Sequence, residues 1–243
     1  MQRRAFTVTV LAFAATTAAC VSAPPMTPAT LRVNVFPGSS NLPLLAAIDQ
    51  GFMARRGLSI EIQNTHNSDD QRNGLAGGTP SRSAAMASNP QLAAGMVNPP
   101  FSITTRERGL KSLGNQLSFI GPYQATGAFV MRNWAAANRA VLERFLAAYI
   151  EGQRHAMNPA NRAEMIKLLA ERFKLAPAVA EGTYQALLTA GSGLAPDARL
   201  NLEGFKTVLA LRAEMEGMWG GTPLAPDKYL DLSYNERALR QAR

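Results

Sequence analysis

Residues 31–62 read LRVNVFPGSSNLPLLAAIDQGFMARRGLSIEI, and their patterning decides the fold class. Leu31, Val33 and Val35 alternate with Arg32 and Asn34 and run into Phe36, the period-two signature of a strand. Pro37-Gly38-Ser39-Ser40-Asn41 is turn chemistry, with Asn41 placed as an N-cap and Leu42-Pro43 opening a helix. Leu44, Leu45, Ile48 and Phe52 recur at helical spacing until Gly57, which the pattern makes the helix stop. Leu58, Ile60 and Ile62 alternate again. The stretch therefore predicts a strand–helix–strand unit and an α/β protein. The second strand leads into polar Thr65, Asn67 and Ser68, and Ser68 with Gln71 has capping-box spacing for a further helix.

Toward the N-terminus the chemistry changes. Met1 to Arg4 carry two positive charges, Ala5 to Ala15 are uncharged and include Phe6, Val8, Val10, Leu11 and Phe13, and small residues follow to Cys20. That is the order of an export signal. The apolar run is shorter than the roughly 20 residues a bilayer span needs, and Pro24, Pro25 and Pro28 stop it from continuing as a domain helix. Residues 1–19 are read as the signal and 20–30 as a stiff, Pro-rich tether. Thr17-Ala18-Ala19-Cys20 resembles a lipobox, which makes Cys20 a candidate lipidation site; the competing reading is plain cleavage beside an inert cysteine. Arg3-Arg4-Ala5-Phe6 partly resembles a twin-arginine signal. Cys20 is the single cysteine, so an internal disulfide and a thiolate metal site are excluded.

The 243 residues are 47% hydrophobic and 17% charged, which excludes wholesale disorder, and the spread of charge excludes a polytopic membrane protein. The formal net charge of +8 raises nucleic acid as a partner. Two of those charges lie in the signal, and the rest interleave with Glu and Ala as on solvated helix faces, as in 138–154. Nucleic-acid binding is not expected.

Downstream, Leu92 to Val97, Leu117 to Ile120 and Gly127 to Arg132 are predicted as strands, with Asn98-Pro99-Pro100-Phe101 as a rigid turn. From Asn138 the pattern is helical. Val141, Leu142, Phe145, Leu146, Tyr149 and Ile150 form one core stripe, and Asn158-Pro159 ends that helix. Asn161 to Phe173, Pro177 to Ala190 and Leu202 to Trp219 continue it. Ser233 with Glu236 is a capping box for a final helix.

Taken together, 31–78 and the later stretches SAAMASNPQLAAGMVNPPFS, GLKSLG, YQATGAFVMRNWAAAN, RFLAAYIEGQRHAMNP and KYLDLSYNERAL resemble solute-binding proteins of ABC importers, of the nitrate, sulfonate, taurine and thiamine-pyrimidine type. The resemblance implies a Venus-flytrap fold of two α/β lobes that binds a small solute in a cleft and delivers it to permease subunits. It also implies an internal shortening: only Thr79-Pro80 stands where the family places further strands and half of the second lobe. The expected fold is thus α/β, type II periplasmic-binding-protein-like, with the second lobe truncated. Its first lobe would be 31–78 and 127–243, and its residual second lobe 81–126.

Candidate ligand contacts are Ser39, Ser40 and Asn41, whose backbone N–H groups at a helix start suit an anion, with Thr65, Asn67 and Ser68 beyond the second strand. Asn98 and Phe101, at the turn the resemblance places against the cleft, and Tyr123, where a hinge would lie, complete the set. For each, the alternative is a turn, cap or packed residue. Nucleophile-elbow, Walker and dinucleotide motifs are absent, and His66 and His155 are the two histidines, so neither catalysis nor a histidine-rich zinc site is expected. No cofactor is expected. The function expected is capture of a small solute outside the cytoplasmic membrane. The alternatives are an enzyme like the thiamine-pyrimidine synthases, whose cysteine-rich segment this chain lacks, and a degenerate relative that binds nothing.

Overall fold

The computed structural model describes residues 27–64 and 97–242. The export signal, Cys20 and most of the tether, the contacts at Thr65, Asn67 and Ser68, the capping box at Ser68, His66, the shortened junction at Thr79-Pro80 and all but the last residue of the strand expected at Leu92 to Val97 lie outside them.

The molecule is mixed α/β and predominantly helical. Strands β1 (Ala29–Val35) and β2 (Leu58–Asn64) pair in parallel, with Ala29 opposite Leu58 and Val35 opposite Asn64. They are the two strands of the sheet among the described residues. Helix α1 (Leu42–Asp49) joins them, as the quoted stretch predicts. It ends earlier than expected: a turn follows Asp49, and the 3-10 turn Ala54–Arg56 comes before Gly57. Gly57 then stops the chain in the left-handed conformation, φ 65°, where a Cβ would be strained.

Helices α2 (Phe101–Glu107), α3 (Gln116–Ile120), α4 (Arg132–Ala137), α5 (Arg139–Met157), α6 (Arg162–Phe173), α7 (Pro177–Leu187), α8 (Leu202–Glu216) and α9 (Ser233–Gln241) follow. Two expected strands are corrected here. Leu117 to Ile120 is helical, because Asn115 caps the turn by accepting from the Leu117 N–H at 2.9 Å. Gly127 to Met131 has strand-like composition but no partner among the described residues, and Arg132 already belongs to α4. Without a ladder to satisfy its backbone, an apolar run is not a strand.

Three other boundaries move. Helix α7 stops at Leu187, and α8 stops at Glu216 with left-handed Gly217 behind it. At α9 the expected capping box does not form. Ser233 is the first helical residue, and Asp231 Oδ1 accepts its N–H at 3.1 Å. Hydrogen bonds from the Ser233 side chain and backbone hold the Asp231 carboxyl below its ordinary range.

Helix α5 is the centre of the molecule. One end of its buried face meets β1, β2 and α1 through Ala148 with Val141, Phe145 and Tyr149. Toward its other end, Ala156 joins Leu42, Leu45, Met165, Leu169, Ala180 and Tyr184 in a second core. Ala147 and Ile150 pack on Ala238 of α9. Gly152 lies where α5 crosses α1, so close that an added Cβ would fall 2.6 Å from Ala47 Cβ and nearer still to the Pro43 carbonyl oxygen. Arg144 uses the edge of α5 differently. Its Nη1 and Nη2 both donate to Thr27 O at 3.1 Å, and Nη1 also donates to Arg56 O at 2.9 Å. Charge pairs flank the helix: Arg56 with Glu151 at 2.8 Å and Arg237 with Glu143 at 2.5 Å, all four side chains largely shielded.

Candidate functional site

The chain leaves β1 at Val35 and turns through Phe36 to Gly38 into a 3-10 turn, Ser39–Asn41, that runs directly into α1. Proline at the second position of α1 suits that entry, because a first-turn N–H has no partner inside the helix. Ser39 is buried, and its Oγ donates to Pro99 O at 2.7 Å. A hydroxyl in so dry a position needs a partner, and it takes one sixty residues away. That bond ties the β1–α1 loop to the Asn98–Phe101 turn, so these two groups of candidate residues are brought together. At the turn, the main chain of Asn98 accepts from Ser102 N–H at 3.1 Å, Pro100 is buried, and Phe101 opens α2. Helix α2 is fixed in turn by Thr105 Oγ1, which donates to Phe101 O at 2.7 Å.

The anion-binding expectation for the loop is modified. The Asn41 N–H donates to Gly38 O at 3.2 Å and the Leu42 N–H to Ser39 O, so both amides are committed to the turn itself. Asn41 occupies the N-cap position of α1 without capping it, because its Nδ2 donates back to Phe36 O at 2.6 Å. Two of the three loop residues are thus structural. The Ser40 hydroxyl and the Asn98 amide make no hydrogen bond among the described residues, and the Phe101 ring is 40% exposed.

Tyr123 is placed by a different contact. The main chain of Tyr123 and Gln124 lies against α8 at Gly204, where a Cβ would come within 2.7 Å of Gln124 N. Gln124 Oε1 accepts the Asn201 N–H at 2.8 Å, and Asn201 Oδ1 caps α8 through Gly204 N–H at 2.9 Å. Tyr123 is half-exposed and belongs to this α8 contact. Sequence reading missed the arrangement, although a glycine inside a helical pattern signals close approach of another backbone.

Two surface depressions, of about 460 and 420 Å³, lie beside Leu202, Lys206 and Leu230 and beside Asp49, Glu164 and Arg172, and none of the candidate residues lines either of them. At the edge of the second, His155 Nε2 lies 3.1 Å from Glu164 Oε2, and Gln50 Nε2 donates to the same carboxylate. Among the described residues no group of three or more His, Cys, Asp or Glu side chains is placed to hold a metal ion, and no helix is long and apolar enough to cross a membrane. No protein-family model, no curated protein and no solved structure matches the chain.

Proposed function

We propose that the chain is an exported solute-binding component of an ABC importer, with a type II periplasmic-binding-like fold shortened in its second lobe. Its ligand would be a small solute, anionic and sulfonate- or nitrate-like, or a pyrimidine, and its partners the permease subunits, with membrane attachment through Cys20. The reading rests on the sequence resemblance and on one observation, the Ser39–Pro99 bond. It couples the loop beyond β1 to the Pro-Pro turn, the two places where the resemblance puts the walls of a cleft. Ser40, Asn98 and Phe101 are the residues on those loops with side chains left to meet a solute, the first two through hydrogen bonds and the third by apolar contact.

Binding should be weak. A flytrap gains affinity by closing two lobes on its ligand, and a contact loop without a full supporting sheet must be ordered at binding, which costs free energy. A thermal-shift screen of nitrate, taurine, alkyl sulfonates and pyrimidines at millimolar dose tests the proposal. A bound ligand raises stability by RT ln(1 + [L]/Kd), so even a millimolar ligand is visible. A shift that disappears in Asn98→Ala supports the reading; no shift with any of these solutes, or one unaffected by Asn98→Ala, overturns it.

A further inference from the structure

Beyond those loops, residues 102–132 leave apolar side chains in water to an unusual degree. Leu113 is 80% exposed, Phe119 69%, Phe129 67% and Met131 71%. Phe129, Val130 and Met131 are consecutive and all exposed. Neighbouring residues do not share a face in a strand or a helix, so side chains on both sides of this stretch stand exposed, with no cover among the described residues. Isolated surface apolar residues need no explanation, but a run of this kind marks an interaction surface.

The same segment is basic. Arg106, Arg108, Lys111 and Arg132 stand against Glu107 alone, and none of the five forms an ion pair among the described residues. Arg132 is engaged with a carbonyl, that of Lys228. Charge therefore decides between occupants. A second copy docked isologously would set this basic segment against itself, at a cost in like-charge repulsion. An anionic surface gains from both properties: aromatic and aliphatic side chains settle at the boundary of headgroups and acyl chains, and arginine and lysine draw to the phosphates.

We infer that the Arg106–Met131 segment docks on the surface of a bilayer containing anionic lipid. Side chains at Phe119, Phe129 and Met131 enter the interface, while Arg106, Arg108 and Lys111 supply the attraction. The inference is independent of solute capture, since a chain that binds no solute would still dock.

The test uses the full chain with Cys20→Ser and Phe129→Cys, carrying an environment-sensitive fluorophore at position 129. The label reports its own surroundings, so an N-terminal segment that inserts by itself does not move it. A blue shift is expected on adding phosphatidylcholine–phosphatidylglycerol vesicles, and none with phosphatidylcholine alone. Each basic residue near an anionic surface contributes about fivefold to partitioning, so the triple variant Arg106→Gln, Arg108→Gln, Lys111→Gln should partition roughly 100-fold more weakly. All three positions are exposed, so the variant keeps the fold. Equal shifts with both vesicle types, no shift with either, or a triple variant that partitions like its parent would overturn the inference. So would a blue shift without lipid accompanied by a dimer in sedimentation, which would assign the surface to a second copy.

Discussion

Replacing Gly152 by alanine probes the α1–α5 crossing where it is tightest. Alanine is the better helix former by about 1 kcal/mol, so in an open helix the change stabilises. Here the new methyl would lie 2.6 Å from Ala47 Cβ and 2.7 Å from Ala47 N, and nearer still to the Pro43 carbonyl oxygen. Ordinary contact for such an atom begins near 3.4 Å, so α1 must retreat by about 0.8 Å or more. Two of the three obstructing atoms are backbone, and no side chain can swing aside. A gap of that size forfeits roughly a quarter to a half of each dispersion contact it opens, and Leu42, Leu44, Leu45, Ala46 and Ala47 all bury themselves along this helix. Overpacking in a dense core costs about 1–3 kcal/mol, and the absence of side-chain relief puts this site at the upper end. After subtracting the propensity gain, the net loss is about 2 kcal/mol. For a chain of this size that lowers Tm by about 4–8 °C. Gly182→Ala on α7 is the internal control, because its methyl would meet only the movable Ile103 Cδ1, at 3.2 Å. It should be neutral or gain up to about 1 kcal/mol. Thermal and urea unfolding of both variants decides the matter: Gly152→Ala as stable as the parent, or Gly182→Ala equally damaged, would refute the close-crossing argument.

Three further outcomes are expected. Thr183 is fully buried and its Oγ1 has no hydrogen-bond partner among the described residues, so Thr183→Val should raise stability by about 1 kcal/mol in urea unfolding; a lower midpoint would show the hydroxyl to be satisfied. Ser39→Ala removes the donor to Pro99 O and should cost about 1 kcal/mol, with an unchanged midpoint counting against the bond. Burial pushes the Tyr149 phenol up from its ordinary 10.0 to about 12; a folded value above the unfolded one means stability intact below pH 10 and lost as pH rises toward 12. Tyr149→Phe cannot ionise and should lose less stability across that window than the parent, whereas superimposable alkaline profiles would remove Tyr149 as a contributor.

Elements with strong periodicity were legible in the sequence. Strands β1 and β2 follow from alternation over 31–35 and 58–62, and α5 to α8 from apolar residues repeating every three to four positions. The stripe Val141, Leu142, Phe145, Leu146, Tyr149 and Ile150 does sit in or against the cores. Short apolar runs were not legible. Leu117 to Ile120 is too brief for periodicity to separate strand from helix, and the deciding residue is Asn115, a cap just upstream of the run. Gly127 to Met131 has the composition of a strand, but a strand exists only where a neighbour supplies hydrogen bonds, which no local pattern reveals. The candidate site divides the same way. Its residue types could be picked out at helix starts and turns, whereas the Ser39–Pro99 bond joins positions sixty apart, and one sequence does not specify such a pairing. Asn41 illustrates the reverse: its position was foreseen, but its side chain answers Phe36 instead of the helix.

The grip of Arg144 on Thr27 gives the molecule a mechanical polarity. Tension applied N-terminal to Thr27 meets a guanidinium fastened to the long helix α5 before it reaches β1. Past that point it runs into a strand paired in parallel with β2 over seven residues. Pulled along its length, such a ladder is sheared, with its hydrogen bonds strained together, whereas pulling from one end across it would peel them singly. A chain held to a surface by its first residues would thus pass its load into α5 and the sheet first.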